Sequence, residues 1–128
     1  MLRSVRVRAG TYRKLLARCN RLRPRAFIGF RAWRHNLLLV VKEALNNIAR
    51  HAKASEVRLN IVVSQNQITV TIEDNGCGFE NAPDNASSDG LRNMRQRMEE
   101  ISGDFCLESR LGAGTRVVFR YSWPIRMN

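Results

Sequence analysis

Apolar positions set the elements of this chain by changing their period along it. From Arg34 to Ala54 they recur at helical spacing. Leu37, Leu38, Val41, Leu45, Ile48 and Ala52 spread over one arc, while Glu43, Asn47 and Arg50 gather within about 60° of one another on the opposite side. This predicts a helix with one core face and one polar face. The period then drops to two, with Ile68, Val70 and Ile72 alternating against Thr69, Thr71 and Glu73. Glu56 to Val63 and Gln67 to Glu73 are expected to pair as a hairpin around Ser64-Gln65-Asn66. Leu91, Met94, Met98 and Ile101 restore helical spacing, giving a second helix from Leu91 to Ile101 closed by Gly103 as its C-terminal cap, with both methionines in the core. Two further strands, Asp104 to Arg110 and Thr115 to Trp123, flank the turn Leu111-Gly112-Ala113-Gly114. Residues 80–90, ENAPDNASSDG, hold no large apolar side chain to offset ordering entropy and are expected to form a lid. Hairpins and one-sided helices fit a sheet covered on one face.

The polar face of the first helix carries chemistry of a definite kind. Glu43 and Asn47, one turn apart, offer hard oxygens of the sort Mg²⁺ takes when phosphates and waters complete its shell, and Arg50 can meet phosphate oxygens. For an isolated E-x-x-x-N, an ordinary solvated helix face explains the pattern more often. The strand ending in Asp74-Asn75-Gly76-Cys77-Gly78-Phe79 changes that balance. Two glycines at alternate positions after an aspartate let the backbone approach a ligand closely, although D-N-G on its own is also a plain turn signal.

Read together, the segments resemble a known family. E-A-L-N-N-I-A-R-H-A resembles the Asn box and D-N-G-C-G-F the D-x-G-x-G box of the ATP-binding domain shared by sensor histidine kinases, gyrases and Hsp90-type chaperones, the GHKL superfamily. Gly90-Leu91-Arg92-Asn93-Met94-x-x-Arg97 resembles its glycine box, and Leu111-Gly112-Ala113-Gly114-Thr115 its closing G-x-G-T box. The four boxes stand in the family's order over residues 36–122, and V-K-E-A-L-N-N is most similar to the two-component sensor histidine kinases. The resemblance implies an α/β two-layer sandwich, with a mixed, mostly antiparallel sheet covered on one face by helices.

It also implies roles. Asp74 would accept the exocyclic amine of adenine, with Gly76 and Gly78 letting the backbone lie beside the base. Asn47 would bind Mg²⁺, with Glu43 as a second ligand or as a catalytic group orienting the attacked phosphate. Arg50 and His51 would face the phosphate tail. Gly90, followed by Leu91, would open the second helix beneath the phosphates. Gly112 and Gly114 would shape the turn that brings the Thr115 hydroxyl, as a donor, to the adenine pocket. ATP and Mg²⁺ are the implied cofactors, and the implied partners are a histidine-containing dimerisation domain and a response regulator.

Composition refines this picture at the N-terminus. The net charge is +11, yet residues 1–35 hold eleven Lys and Arg and no acid, while residues 36–128 hold eleven of each sign. The division is therefore a basic extension, 1–35, expected to be poorly ordered or a degraded remnant, and an ATP-binding domain, 36–128. The extension could attract polyanions. It lacks interleaved aromatics, a zinc pattern and a helix-turn-helix signature, so no specific nucleic-acid partner is expected. No apolar run is long enough to span a membrane. Cys19, Cys77 and Cys106 lack metal-ligand spacing and fit reduced thiols in the cytoplasm.

Two features depart from the family pattern. Its glycine box begins G-x-G, whereas Ser88-Asp89-Gly90 stands here and puts a carboxylate near phosphate, or a helix cap at Asp89. No phosphoacceptor hairpin is visible, and His35 lies on the nucleotide-binding helix, so catalyst and substrate histidine are expected on separate domains or chains. The expected function is transfer of the ATP γ-phosphoryl group to such a histidine. The alternative is an ATP-dependent anti-sigma-type regulator, either a serine kinase or a non-catalytic binding module.

Overall fold

The computed structural model describes residues 2–8, 32–79 and 89–123. Five strands form one sheet: β1 (Leu2–Arg8), β2 (Glu56–Val63), β3 (Gln67–Asp74), β4 (Asp104–Arg110) and β5 (Gly114–Ser122), in spatial order β1-β2-β3-β5-β4. All four pairings are antiparallel, so the described sheet has no parallel component. Among the described residues two helices cover one face, α1 (Ala32–Asn47) and α2 (Asp89–Glu100), with a π-helical turn, Ile48–Ala52, prolonging α1. The two-layer sandwich expected from the resemblance is the observed architecture.

Sheet register explains which side chains enter the core. Val57, Val70, Ile72, Val117 and Phe119 are buried on the covered face, against Val40, Leu45 and Ile48 from the first helix and Met94 and Met98 from α2. Each fully buried apolar side chain of this size contributes about 1.5–3 kcal/mol relative to exposure. Phe105 packs against Phe119, and Trp33 stacks on Tyr121 with 5.1 Å between ring centroids. The opposite face is polar: Glu73 stands between Arg116 (3.2 Å) and Arg58 (3.8 Å), pairs too exposed to stabilise the sheet much.

Three expectations change. Part of the basic extension, Leu2–Arg8, is a strand on β2, where Val5 and Val7 register with Leu59 and Val57. The rest of that extension and most of the expected lid, residues 80–88, lie outside the described residues, as does any capping by the Asp89 side chain. On α1 the buried arc is turned toward α2: Val40 and Ala44 are buried, whereas Leu38 and Val41 are only partly so. A single-helix wheel accounts for the sheet contact but not for a second helix alongside. Finally, α2 ends with Ser102 in the left-handed region (φ 55°), while the Gly103 N–H donates to the Met98 carbonyl at 2.8 Å. Gly103 is needed for room, since a Cβ there would stand 2.7 Å from Met98 Cε and 2.8 Å from the Arg120 carbonyl.

Candidate active site

The two helices run antiparallel, and their contacts fix what lies at each end. Asn36, early in α1 and buried, donates through Nδ2 to the Arg97 carbonyl at 2.8 Å and to the Glu100 carboxylate at 3.0 Å, late in α2. At the other end Gly90 lies against Glu43 and Asn47. A Cβ on Gly90 would be 3.4 Å from Asn47 Oδ1 and would overlap Glu43 Oε1. Two hard oxygens therefore face the first turn of a helix, where backbone N–H groups have no intrahelical partner and the dipole favours an anion. That donor set fits Mg²⁺, which takes one or two protein oxygens and completes its shell with phosphate and water. Among the described residues no group of three His, Cys, Asp or Glu could hold a metal unaided.

The π-helical turn connects this end to the β3 loop. Ile48–Ala52 replaces the α-helical turn expected after Asn47, and Lys53 closes it in the left-handed region (φ 49°). Turns of this kind leave carbonyls to be satisfied elsewhere. Here the Cys77 N–H donates to the Ala52 carbonyl at 2.7 Å and Cys77 Sγ to the His51 carbonyl at 3.3 Å. Gly76 makes the contact possible, since a Cβ there would overlap the Ala52 carbonyl oxygen. Asn75 holds the other side of the loop: its Oδ1 accepts from the Ser55 and Glu56 N–H groups and its Nδ2 donates to Ser55 Oγ.

Asp74 ends β3 opposite Thr115 of β5, with only 9% of its surface exposed. Burial pushes its carboxyl above the ordinary value of 3.8, and backbone N–H groups of Gly76 and Thr115 partly offset this by hydrogen-bonding to the carboxylate. The Gly76 N–H donates to Asp74 Oδ1 at 2.8 Å. Gly114 takes φ +81°, and a Cβ there would overlap the Asp74 carbonyl oxygen. Gly78 (φ +61°) packs on the Arg110 carbonyl, and the Gly112 N–H donates to the Cys77 carbonyl at 2.7 Å.

The site residues read from the sequence thus fall into two groups, Glu43, Asn47 and Gly90 at the helix junction and Asp74, Gly76, Gly114 and Thr115 at the strand ends. Arg50 lines a cavity of about 370 Å³ between the helices together with Glu43, whereas the exposed His51 does not line it. Leu91 packs against the core, and half-buried His35 lies within α1. The Thr115 hydroxyl is engaged by a neighbour at the strand ends. Ser109 Oγ lies 3.2 Å from the Gly114 carbonyl, to which it can donate, and 2.8 Å from the Thr115 hydroxyl.

Sequence reasoning missed Ser109, which is buried and also accepts from the Phe79 N–H at 2.9 Å. Its signal was a hydroxyl at the inward position that follows Phe105 and Leu107. Lys42 and Asn46, which also line the cavity, were missed as well, while Asn93 and Arg97, likewise lining it, stood in the glycine box without an assigned role. Their spacing of four along each helix was legible.

Comparison with known proteins identifies the family and the fold. Residues 34–125 match the family described as histidine kinase-, DNA gyrase B-, and HSP90-like ATPase. The chain is 35% identical over 86 residues to the nitrate/nitrite sensor protein NarX of Escherichia coli, covering 67% of this chain and 14% of NarX. It is 39% identical over 82 residues to the sensor histidine kinase LiaS of Bacillus subtilis, covering 64% and 23%. The chain therefore spans a quarter or less of these relatives. Among solved structures, the histidine kinase domain of the Erythrobacter litoralis EL346 blue-light activated kinase superposes with a TM-score of 0.66 at 22% identity, over 91% of this chain and 61% of that one, which shows the shared fold. With matching sequence over most of its length and the sandwich that sequence encodes, the chain belongs to the histidine kinase-, DNA gyrase B- and HSP90-like ATPase family.

Proposed function

We propose that this chain is the ATP-binding catalytic domain of a two-component sensor histidine kinase, which moves the γ-phosphoryl group of Mg-ATP to a histidine on a separate dimerisation domain. The observation that carries the reading is the meeting of Gly90 with Glu43 and Asn47, joined through the π-helical turn to the Asp74 loop. Family membership and the names of the relatives, sensor histidine kinases among them, support it.

In this reading Asp74 accepts the adenine amine, and guanine, with a carbonyl at that position, is rejected. Asn47 and Glu43 would hold Mg²⁺, which would supply positive charge to offset that of the phosphates. Arg50 and the first turn of α2 meet the phosphate tail. An imidazole nitrogen of the acceptor uses its lone pair to form the new N–P bond as the bond from the γ-phosphorus to its bridging oxygen breaks. ADP leaves with that electron pair, and the proton on the imidazole's other nitrogen, which points away from phosphorus, passes to solvent. The phosphohistidine would then supply a response regulator. The free thiols Cys77 and Cys106 suit a reducing, cytoplasmic setting, and among the described residues no helix is long and apolar enough to cross a membrane.

Incubation with radiolabelled ATP and a supplied histidine-containing dimerisation hairpin tests the reading. Acid-labile, alkali-stable label on the hairpin is the expected result. Acid-stable label on a partner serine would favour the anti-sigma alternative, and acid-labile label on His35 or His51 would refute the separation of catalyst from substrate.

A further inference from the structure

The cavity between α1 and α2 includes Glu43 and Arg50 and also takes in residues with no role toward the nucleotide. Its polar lining comprises Lys42, Glu43, Asn46, Arg50, Asn93 and Arg97, with the buried Met94 beneath. Three cations thus surround one carboxylate, and among the described residues none of the three cationic groups has an ion-pair partner. Such a concave, unbalanced cluster draws an anion. Arg50 is accounted for by the phosphate tail. Lys42 and Arg97 are not: Lys42 precedes Asn47 by more than a turn of α1, and Arg97 lies seven residues beyond Gly90, about 10 Å along α2.

Direction decides what enters. The chain of contacts runs from Asp74 through Ala52 to Asn47 and Glu43, so a nucleotide with its base at Asp74 points its terminal phosphate toward Glu43. Glu43 also lines the cavity. In phosphoryl transfer the attacking and leaving atoms lie roughly in line across phosphorus, and the acceptor must therefore approach from the cavity side. The volume, about 370 Å³, suits inserted side chains and not a folded domain.

We propose that this cavity seats the segment bearing the acceptor histidine, through carboxylates that flank the histidine and pair with Lys42 and Arg97. The inference rests on the kinase reading above. It makes Lys42 and Arg97 partner-recognition residues, distinct from the groups that hold ATP.

The test uses the full chain, its Lys42→Glu/Arg97→Glu variant and the milder Lys42→Ala/Arg97→Ala variant, with urea midpoints confirming that each folds. Calorimetry should give Mg-ATP affinities within about twofold of the parent, while labelling of the supplied hairpin in trans should fall about tenfold or more in the charge-reversed variant and less in the alanine one. A hairpin whose acidic residues beside the histidine are changed to lysine should be labelled poorly by the parent and better by the reversed variant. Equal labelling by parent and variants, with the parent active, would overturn the docking assignment alone. ATP affinity falling in step with labelling would assign the cavity to the nucleotide. A parent that binds Mg-ATP but never labels the hairpin would overturn the kinase reading together with the docking.

Discussion

The strand ends around Asp74 and the helix junction around Glu43, the proposed base end and phosphate end of the site, are built on opposite principles. Around Asp74 nearly every polar group is already engaged: Gly76 and Thr115 N–H groups on the carboxylate, Ser109 on Phe79, Gly114 and Thr115, and Asn75 on Ser55 and Glu56. Around Glu43 the cations Lys42, Arg50 and Arg97 have no partner among the described residues. The first region is preorganised before a ligand arrives, which suits discrimination between bases; the second is an electrostatic field that a phosphate or an acidic segment completes. In the proposed reading, specificity would reside in the strand ends and charge handling in the helix junction.

Substitutions should separate the two regions, beginning with the frame of the base end. Gly114→Ala combines a left-handed backbone penalty of about 1–2 kcal/mol with overpacking against the Asp74 carbonyl of about 1–3 kcal/mol, given φ +81° and the absent space. The urea midpoint should fall accordingly, and an unchanged midpoint would mean that the turn relaxes freely. A smaller effect is expected for Asp74→Ala. A charged hydrogen bond is worth about 1.5–3 kcal/mol, so ATP should bind about ten- to a hundredfold more weakly, whereas equal affinity of the parent for ATP and GTP would remove the adenine assignment.

The smallest effect concerns pH. Because burial raises the folded-state pKa of Asp74 above 3.8, the folded protein binds more protons than the unfolded chain in the window between the two values. Its contribution to stability is full below the unfolded value and is lost as pH rises through the folded one. Asp74→Asn should flatten that part of the stability profile and, at neutral pH, leave the unliganded protein as stable as the parent or slightly more so. ATP affinity should move the other way, falling on acidification as the carboxylate that accepts the adenine amine is protonated. Identical stability profiles for parent and Asp74→Asn would show that Asp74 is not desolvated.

The strands and helices were legible wherever local pattern and tertiary packing agree, as in Ile68-Thr69-Val70-Thr71-Ile72 and in Met94 and Met98. The π-helical turn was not, because its carbonyls are held by Cys77, twenty-five residues beyond Ala52. Val5 and Val7 alternate with Arg6 and Arg8 as an edge strand does, yet the charge of residues 1–35 directed attention to an anion-binding arm. In the site, Glu43, Asn47, Asp74 and the loop glycines came from motif spacing. Ser109 required the register of β4 on β5, and the meeting of Lys42 with Arg97 in one cavity required the antiparallel packing of α2 on α1.

That the two regions are the two ends of one Mg-ATP site is tested most directly by calorimetry of adenosine and of ATP, with and without Mg²⁺, on the parent, Asp74→Asn and Asn47→Ala. The account predicts that Asp74→Asn weakens adenosine and ATP alike, and that Asn47→Ala leaves adenosine binding unchanged while abolishing the gain in ATP affinity that Mg²⁺ confers on the parent. A magnesium titration identical in parent and Asn47→Ala, or adenosine binding indifferent to Asp74, would contradict it.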